Sequence, residues 1–276
     1  MKKFLYTLIL CICVSSIFAE TAEKLVQKGI LKGKKGKIED AMACFNKAIE
    51  VDSTYPEAYF NRGYAKNMLD DNKASIADFT KAIQYDSTYS NAYFNRALAY
   101  AEDKDNRAAI KDFTTVIKLD SGTNAEAYYF RGVSRYFLVQ LDSAIADFDS
   151  AVVVDSTYAE AYYNKALVKT RLGGMDNLKE ALSLYSKAIG INPYDADFYN
   201  NRGQVRYVLK DYKGAVGDYN RALALAPDMA RTYCNRGNAF FYMNDKIGAC
   251  ENWTTAVDMG FTLAQQMLDI YCQAPK

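Results

Sequence analysis

A chain of 276 residues without one histidine has no imidazole chemistry, which excludes His-based triads, His-ligated zinc and imidazole general bases. What remains for chemistry is carboxylates, cysteines, tyrosines and a recurring Asn-Arg pair, first met in EAYFNRGYAK at 57–66. The carboxylates fall in recurring positions or turns, with no isolated pair set apart for acid and base work. A cysteine nucleophile would lack its base, and no carboxylate cluster has metal-site spacing. GKKGK at 33–37 lacks the Gly-x4-Gly-Lys-Ser/Thr spacing of a phosphate loop. Asn252 of NWT matches a glycosylation acceptor but falls on a predicted helix. The expectation is a protein that is not an enzyme, with no cofactor and no metal.

The Asn-Arg pair divides into two patterns. Arg62, Arg96, Arg131, Arg202 and Arg236 are followed sixteen residues on by Asp78, Asp112, Asp147, Asp218 and Asn252. Where the acid becomes Leu184, the base becomes Lys165. Base and acid change together, so Arg62–Asp78, Arg96–Asp112, Arg131–Asp147 and Arg202–Asp218 are expected to be structural ion pairs tying two helices. The preceding Asn61, Asn95, Asn164, Asn201 and Asn235, with Phe130 as the exception, have no partner that recurs with them. A primary amide offers donors and an acceptor to a peptide bond without reading sequence.

The elements that must carry these residues repeat with a period of about 34 residues. Seven copies are read, at 22–55, 56–89, 90–124, 125–158, 159–195, 196–229 and 230–263. The fourth position is Leu25 or a tyrosine (59, 93, 128, 162, 199, 233), and the eighth is Gly29, Gly63, Ala97, Gly132, Ala166, Gly203 or Gly237. The twentieth is Ala or Ser75, and the twenty-fourth is always aromatic: Phe45, Phe79, Phe113, Phe148, Tyr185, Tyr219 and Trp253. Large and tiny residues four apart share a helix face, so two helices per copy are expected, with tiny positions allowing approach and rings filling the space. Thr54 to Glu57, Thr123 to Glu126 and Thr157 to Glu160 read as capping boxes starting first helices. The three extra residues of the fifth copy, in RLGGMDNLKEA, are placed between its two helices.

These positions resemble the tetratricopeptide repeat family in every copy. The resemblance implies an all-α, right-handed superhelical solenoid of antiparallel helix pairs with a concave groove. Ser53, Ser87, Ser121 and Ser156 stand where the family often has Pro, which Pro193 and Pro227 supply. In similar proteins the fifth position points into the groove, making Phe60, Phe94, Tyr129 and Tyr163 expected exposed anchors for a partner. The Asn row resembles the asparagine ladder of the O-linked N-acetylglucosamine transferase repeats, which holds an extended peptide by its backbone. A second subfamily grips the C-terminal carboxylates of chaperones through groove cations; Glu57, Glu126, Glu160 and Asp197 here would repel them.

The ends differ from the copies. Lys2 and Lys3, an apolar run from Phe4 to Val14 and small residues up to Ala19 have the layout of a cleaved secretory signal peptide at 1–19. A retained anchor is disfavoured because this run falls short of the roughly 20 apolar residues of a spanning helix. A lipid on Cys11 or Cys13 is the alternative, and membrane association is expected only with lipid or an uncut leader. Cleavage would leave 32 basic against 33 acidic residues, no field for nucleic acid or anionic lipid. Of the remaining cysteines, Cys44 and Cys250 are expected as buried thiols, while a pairing among Cys234, Cys250 and Cys272 stays open. Residues 264–276 are expected to form a capping helix and tail, with Leu263, Met267, Ile270 and Tyr271 on the covered stripe. The lysines from Lys24 to Lys37 read as a solvated end.

The function expected is a periplasmic or secreted scaffold holding a protein or peptide in the groove. The alternatives are an assembly component of a bacterial envelope complex, or a module binding cell-wall polysaccharide through groove aromatics.

Overall fold

The computed structural model describes residues 20–272, and the regular structure within them is entirely helical. The leader at 1–19 and residues 273–276, with the end of the expected tail, lie outside the described residues. The chain divides into two compact units, the first ending at Phe130 and the second beginning at Arg131.

The first unit holds α1 (Ala22–Gly33), α2 (Ile38–Val51), α3 (Pro56–Asn67), α4 (Asn72–Tyr85), α5 (Ser90–Glu102) and α6 (Asn106–Leu119). The boundary falls within α7 (Ala125–Phe137). The second unit continues with α8 (Leu141–Val154), α9 (Ala159–Leu172), α10 (Met175–Ile191), α11 (Ala196–Val208), α12 (Tyr212–Leu225), α13 (Ala230–Tyr242) and α14 (Lys246–Asp258). A 3-10 turn at Thr262–Ala264 leads into α15 (Gln265–Tyr271). In each unit consecutive helices pair, and each second helix packs on the next first helix.

The pairs close because a ring on the second helix lies where the first helix has almost no side chain. A Cβ added to Gly203 would stand 2.8 Å from Cε1 of Tyr219, and one added to Gly132 would stand 2.8 Å from Cε1 of Phe148. Ala97 and Ala166, which occupy the same position, are fully buried. The rings opposite are buried too, from Phe79 and Phe113 to Tyr185 and Trp253.

Helix starts depart from the capping-box expectation. Thr54 and Thr157 donate their hydroxyls to Asp52 and Asp155 at 2.7 Å, and Thr123 donates to the Asp120 carbonyl. Thr54 and Thr157 stand one residue before the observed caps, Tyr55 and Tyr158, which make no side-chain bond. The Thr54 hydroxyl and then its amide hold Asp52 below the usual carboxylate range. Side-chain caps come from other residues: on second helices Asp71, Asp105, Asp211 and Asp245 accept from the amide three residues on, and on first helices Thr21, Asn124 and Asp195 do the same.

The insertion in the fifth copy also behaves differently from expectation. Gly173 (φ 69°) and Gly174 (φ 79°) make a left-handed turn, and the extra length goes into α10, which has 17 residues where α8 has 14. The cap follows its expected stripe in part, since Tyr271 lies against Phe241 with ring centroids 4.5 Å apart. Ala264, Met267, Leu268 and Cys272 face the core with Trp253, whereas Leu263 and Ile270 are exposed. The 3-10 turn shifts the helical phase, and a Cys250–Cys272 disulfide fixes α15 to α14. Cys250 is therefore bonded and not the free thiol expected, while Cys44 and Cys234 are free and buried.

Two stability measurements follow. Gly203→Val is expected to lower unfolding free energy by about 1–3 kcal/mol through overpacking against Tyr219, read as a lower urea midpoint. Val139 closes the turn between α7 and α8 at φ 60°, a conformation a β-branched residue resists. Val139→Gly is expected to raise the midpoint, by about 1 kcal/mol in free energy, and an unchanged or lower midpoint would refute strain there.

Candidate functional site

The arginines that the sequence pairs with aspartates do meet them. Arg62 donates from Nε and Nη2 to the two oxygens of Asp78 at 2.8 and 2.6 Å. Arg96 makes the same fork with Asp112 at 2.7 and 2.9 Å, and Arg202 with Asp218 at 3.0 and 2.7 Å. Arg131 holds Asp147 through Nε and Nη2. The acids are no more than 4% exposed, so these are buried pairs. A buried carboxylate that lost its cation would be left uncompensated.

Three further features of this network escape the sixteen-residue pattern. A second cation reaches each of three acids: Lys66 to Asp78 at 2.7 Å, Arg135 to Asp147 at 2.8 Å and Arg206 to Asp218 at 3.0 Å. Their signal in the sequence was the basic residue four after each arginine. The third Arg nitrogen, Nη1, reaches back to the preceding second helix, to Asn46 from Arg62, Thr80 from Arg96, Ser186 from Arg202 and Asn220 from Arg236. Finally, the guanidinium lies over the tyrosine three residues earlier, as Arg62 over Tyr59 at 5.6 Å and Arg236 over Tyr233 at 5.2 Å.

The exceptions follow from the same geometry. Lys165, facing Leu184, pairs backward with Asp149 at 2.7 Å, and Glu180 lies 3.6 Å away. Arg236 bonds the neutral amide of Asn252, so burial lowers its pKa, while the hydrogen bonds to Asp78 raise that of Arg62. Asn252 is itself buried and also bonded to the Gly248 carbonyl, which removes it from a glycosylation role.

The candidate binding residues are less exposed than expected. Phe60 packs on Phe79 and Tyr89 with centroids 5.8 and 5.0 Å apart, and Phe94 on Phe113 and Phe130 at 5.6 and 6.0 Å. Tyr163 lies against Tyr185 and stacks on Phe198 at 4.7 Å, and Tyr129 meets Phe130 edge-on. All four are half-buried. Phe60, Phe94 and Tyr163 wedge neighbouring helices together and are not free anchors, because each has a ring of an adjacent element against it, whereas the ring beside Tyr129 belongs to its own helix.

The asparagines do have a recurring partner, contrary to the sequence reading. Nδ2 of Asn61, Asn95, Asn164 and Asn201 donates to the carbonyl one turn earlier at 2.7–3.0 Å, which fixes the amide rotamer. Asn201 also donates to the Tyr163 hydroxyl at 2.7 Å, and Asn235 makes no such backbone bond. A partner lying within one helix was invisible to a search for residues that change together. Asn61 lines a cavity of about 360 Å³ in the first unit with Ile30, Ile38, Phe45, Tyr64 and Met68. Tyr64 and Met68 are exposed at its rim. At the start of the chain, Lys28 pairs with Glu20 and Lys32 with Asp40, as at a solvated end.

Comparison with known proteins agrees with this construction. Tetratricopeptide repeat family models match residues 34–70, 56–89, 94–159 and 196–229. An uncharacterized protein of Methanocaldococcus jannaschii is 44% identical over 48 residues, 17% of this chain and 56% of that protein, so the chain spans about half of that curated relative. A tetratricopeptide repeat protein of Parabacteroides merdae superposes with a TM-score of 0.65 at 21% identity, over 92% of this chain and all of the other. YrrB, described as a tetratricopeptide repeat protein with an unusual peptide-binding site, gives 0.56 at 22% identity, over 68% of this chain and 95% of its own. The chain carries tetratricopeptide repeats, in an all-α solenoid fold with a C-terminal helix. Such repeats are protein-interaction scaffolds.

The two kinds of charge pair predict different costs. Asp78→Ala leaves Arg62 and Lys66 without their acid and is expected to cost about 3–5 kcal/mol. Asp149→Ala removes a half-exposed partner and is expected to cost under about 1 kcal/mol. Urea unfolding of both variants measures the contrast.

Proposed function

We propose that the protein is a non-catalytic scaffold that holds an extended peptide or a partner's surface segment on the first helices of its repeats. The observation that carries this reading is the cavity beside Asn61. An apolar hollow rimmed by Tyr64 and Met68 suits a partner's side chain, and a rotamer-fixed amide suits the adjoining peptide group. One amide bond at a net of about 1 kcal/mol is small beside the roughly 8 kcal/mol of a micromolar complex. Apolar burial in the hollow therefore has to supply most of the affinity.

Export to an oxidising compartment is part of the proposal. The leader-like start supports it, and so does the Cys250–Cys272 bond, since disulfides persist in the periplasm and outside the cell. Mass spectrometry of the mature N-terminus would read cleavage after Ala19 or lipid on Cys11 or Cys13.

Partner binding supplies the functional test. With the partner recovered by pull-down from envelope extract, Met68→Asp is expected to weaken binding at least tenfold in a titration. Asn61→Ala is expected to weaken it severalfold, with helical content unchanged in both. Full affinity in Met68→Asp would exclude this cavity as the docking point.

A further inference from the structure

Repeats provide an internal control, because a residue that departs from its counterparts without serving packing calls for another explanation. The ninth position is Ile30, Tyr64, Leu98, Val133 and Leu167 in the first five copies, then Gln204 and Asn238. The fifth position, which holds the rings of Phe60, Phe94, Tyr129 and Tyr163, becomes Asn200 on α11. Asn200 is fully buried; its Oδ1 accepts from the Thr232 hydroxyl at 3.0 Å, and its Nδ2 has no partner. An amide with an unused N–H is a poor replacement for a ring in a packed seam.

Gln204 and Asn238, with Asn235 but without the buried Asn200, line a pocket in the second unit. Gln204, Tyr207, Val208, Tyr219, Asn235 and Asn238 line a hollow of about 200 Å³. No lining residue is an acid or a base in the ordinary sense, and both phenols stay protonated: burial, then Tyr242 and Tyr212, push Tyr207 up to about 12, and burial raises Tyr219. Tyr207 meets Tyr242 edge-on at 5.8 Å, and Tyr242 stacks on Tyr212 at 5.1 Å. Asn238 accepts from Nε1 of Trp253, the one tryptophan of the chain, at 2.9 Å.

We propose that this pocket binds an uncharged sugar unit of an oligosaccharide. Amides that donate and accept match hydroxyl or acetamido groups, which do both. The half-buried Tyr207 and exposed Val208 give the C–H face of a sugar ring an apolar wall, and the lack of formal charge gives no advantage to an acidic or basic ligand. An extended peptide fits less well here. Within this unit the amide set ends after two repeats, because Val133 and Leu167 hold the ninth position before it, so the site is compact and not a track.

Trp253 makes the pocket self-reporting. The full chain is titrated with triacetylchitotriose and with maltotriose while Trp253 emission is followed. A saturable change with at least one of them is expected, weakened about tenfold or more in Gln204→Ala/Asn235→Ala through lost hydrogen bonds. Asn235→Asp, which keeps the shape and adds a charge, is expected to weaken it likewise with an unchanged urea midpoint. Asn61→Ala in the first unit is expected to leave sugar binding intact, which separates this site from the scaffold cavity. No saturable response to either trisaccharide overturns the proposal. So does a response that survives both pocket changes, or a response that only a neutral tripeptide elicits.

Discussion

A helix pair can bury an aromatic ring between its members only where one helix gives up its own side chain. That exclusion of volume is the constraint on which the rest depends. Tyr219 lies so close to the backbone of Gly203 that a single added carbon would meet it at 2.8 Å. The approach distance of the two helices is thereby set by the thickness of a ring. At that distance, and not at a wider one, Arg202 one residue before the glycine reaches Asp218 one residue before the ring. Steric fit comes first and the charge network inherits its geometry.

The network then acts on register more than on net stability. Replacing a buried ion pair by apolar groups is often neutral, whereas breaking one is costly. A fork such as Arg62 on Asp78 satisfies both carboxylate oxygens at 2.8 and 2.6 Å, so a slip of one helix past the other strands a charge. Where the acid is missing, at Leu184, the chain moves the pairing elsewhere, and at Asn252 it accepts a neutral bond. Beside this network Phe60, Phe94 and Tyr163 hold helices together, while Asn61, Asn95, Asn164 and Asn201 turn back onto their own helix.

Much of this was legible in the residues. The period, the tiny-large alternation and the covariation of Arg with Asp are statements about one copy repeated, and those features survived into three dimensions. What was not legible depends on neighbours outside the copy or on competition within a turn. Thr54 carried the right type for a cap, but the turn in which it donates to Asp52 delays the helix by one residue, to the cap Tyr55. The backward bonds of Arg62 to Asn46 and Arg96 to Thr80 join different copies through residues of varied type, so no column of one kind announced them. For Cys272 the residues left Cys234 and Cys250 both open as partners, because the phase of α15, reset by a short 3-10 turn, decides between them.

Those backward bonds bear on how such a chain can change its length. Repeats are commonly pictured as interchangeable beads, to be duplicated or deleted one at a time. Lys165 takes its close partner, Asp149, from the preceding second helix, α8, because its own copy offers Leu184 in place of the acid. A fifth copy moved alone would lose that closer acid and keep Glu180, 3.6 Å from Lys165 within the copy. The fourth and fifth copies are thus coupled here by one half-exposed pair, a link light enough to leave each copy exchangeable.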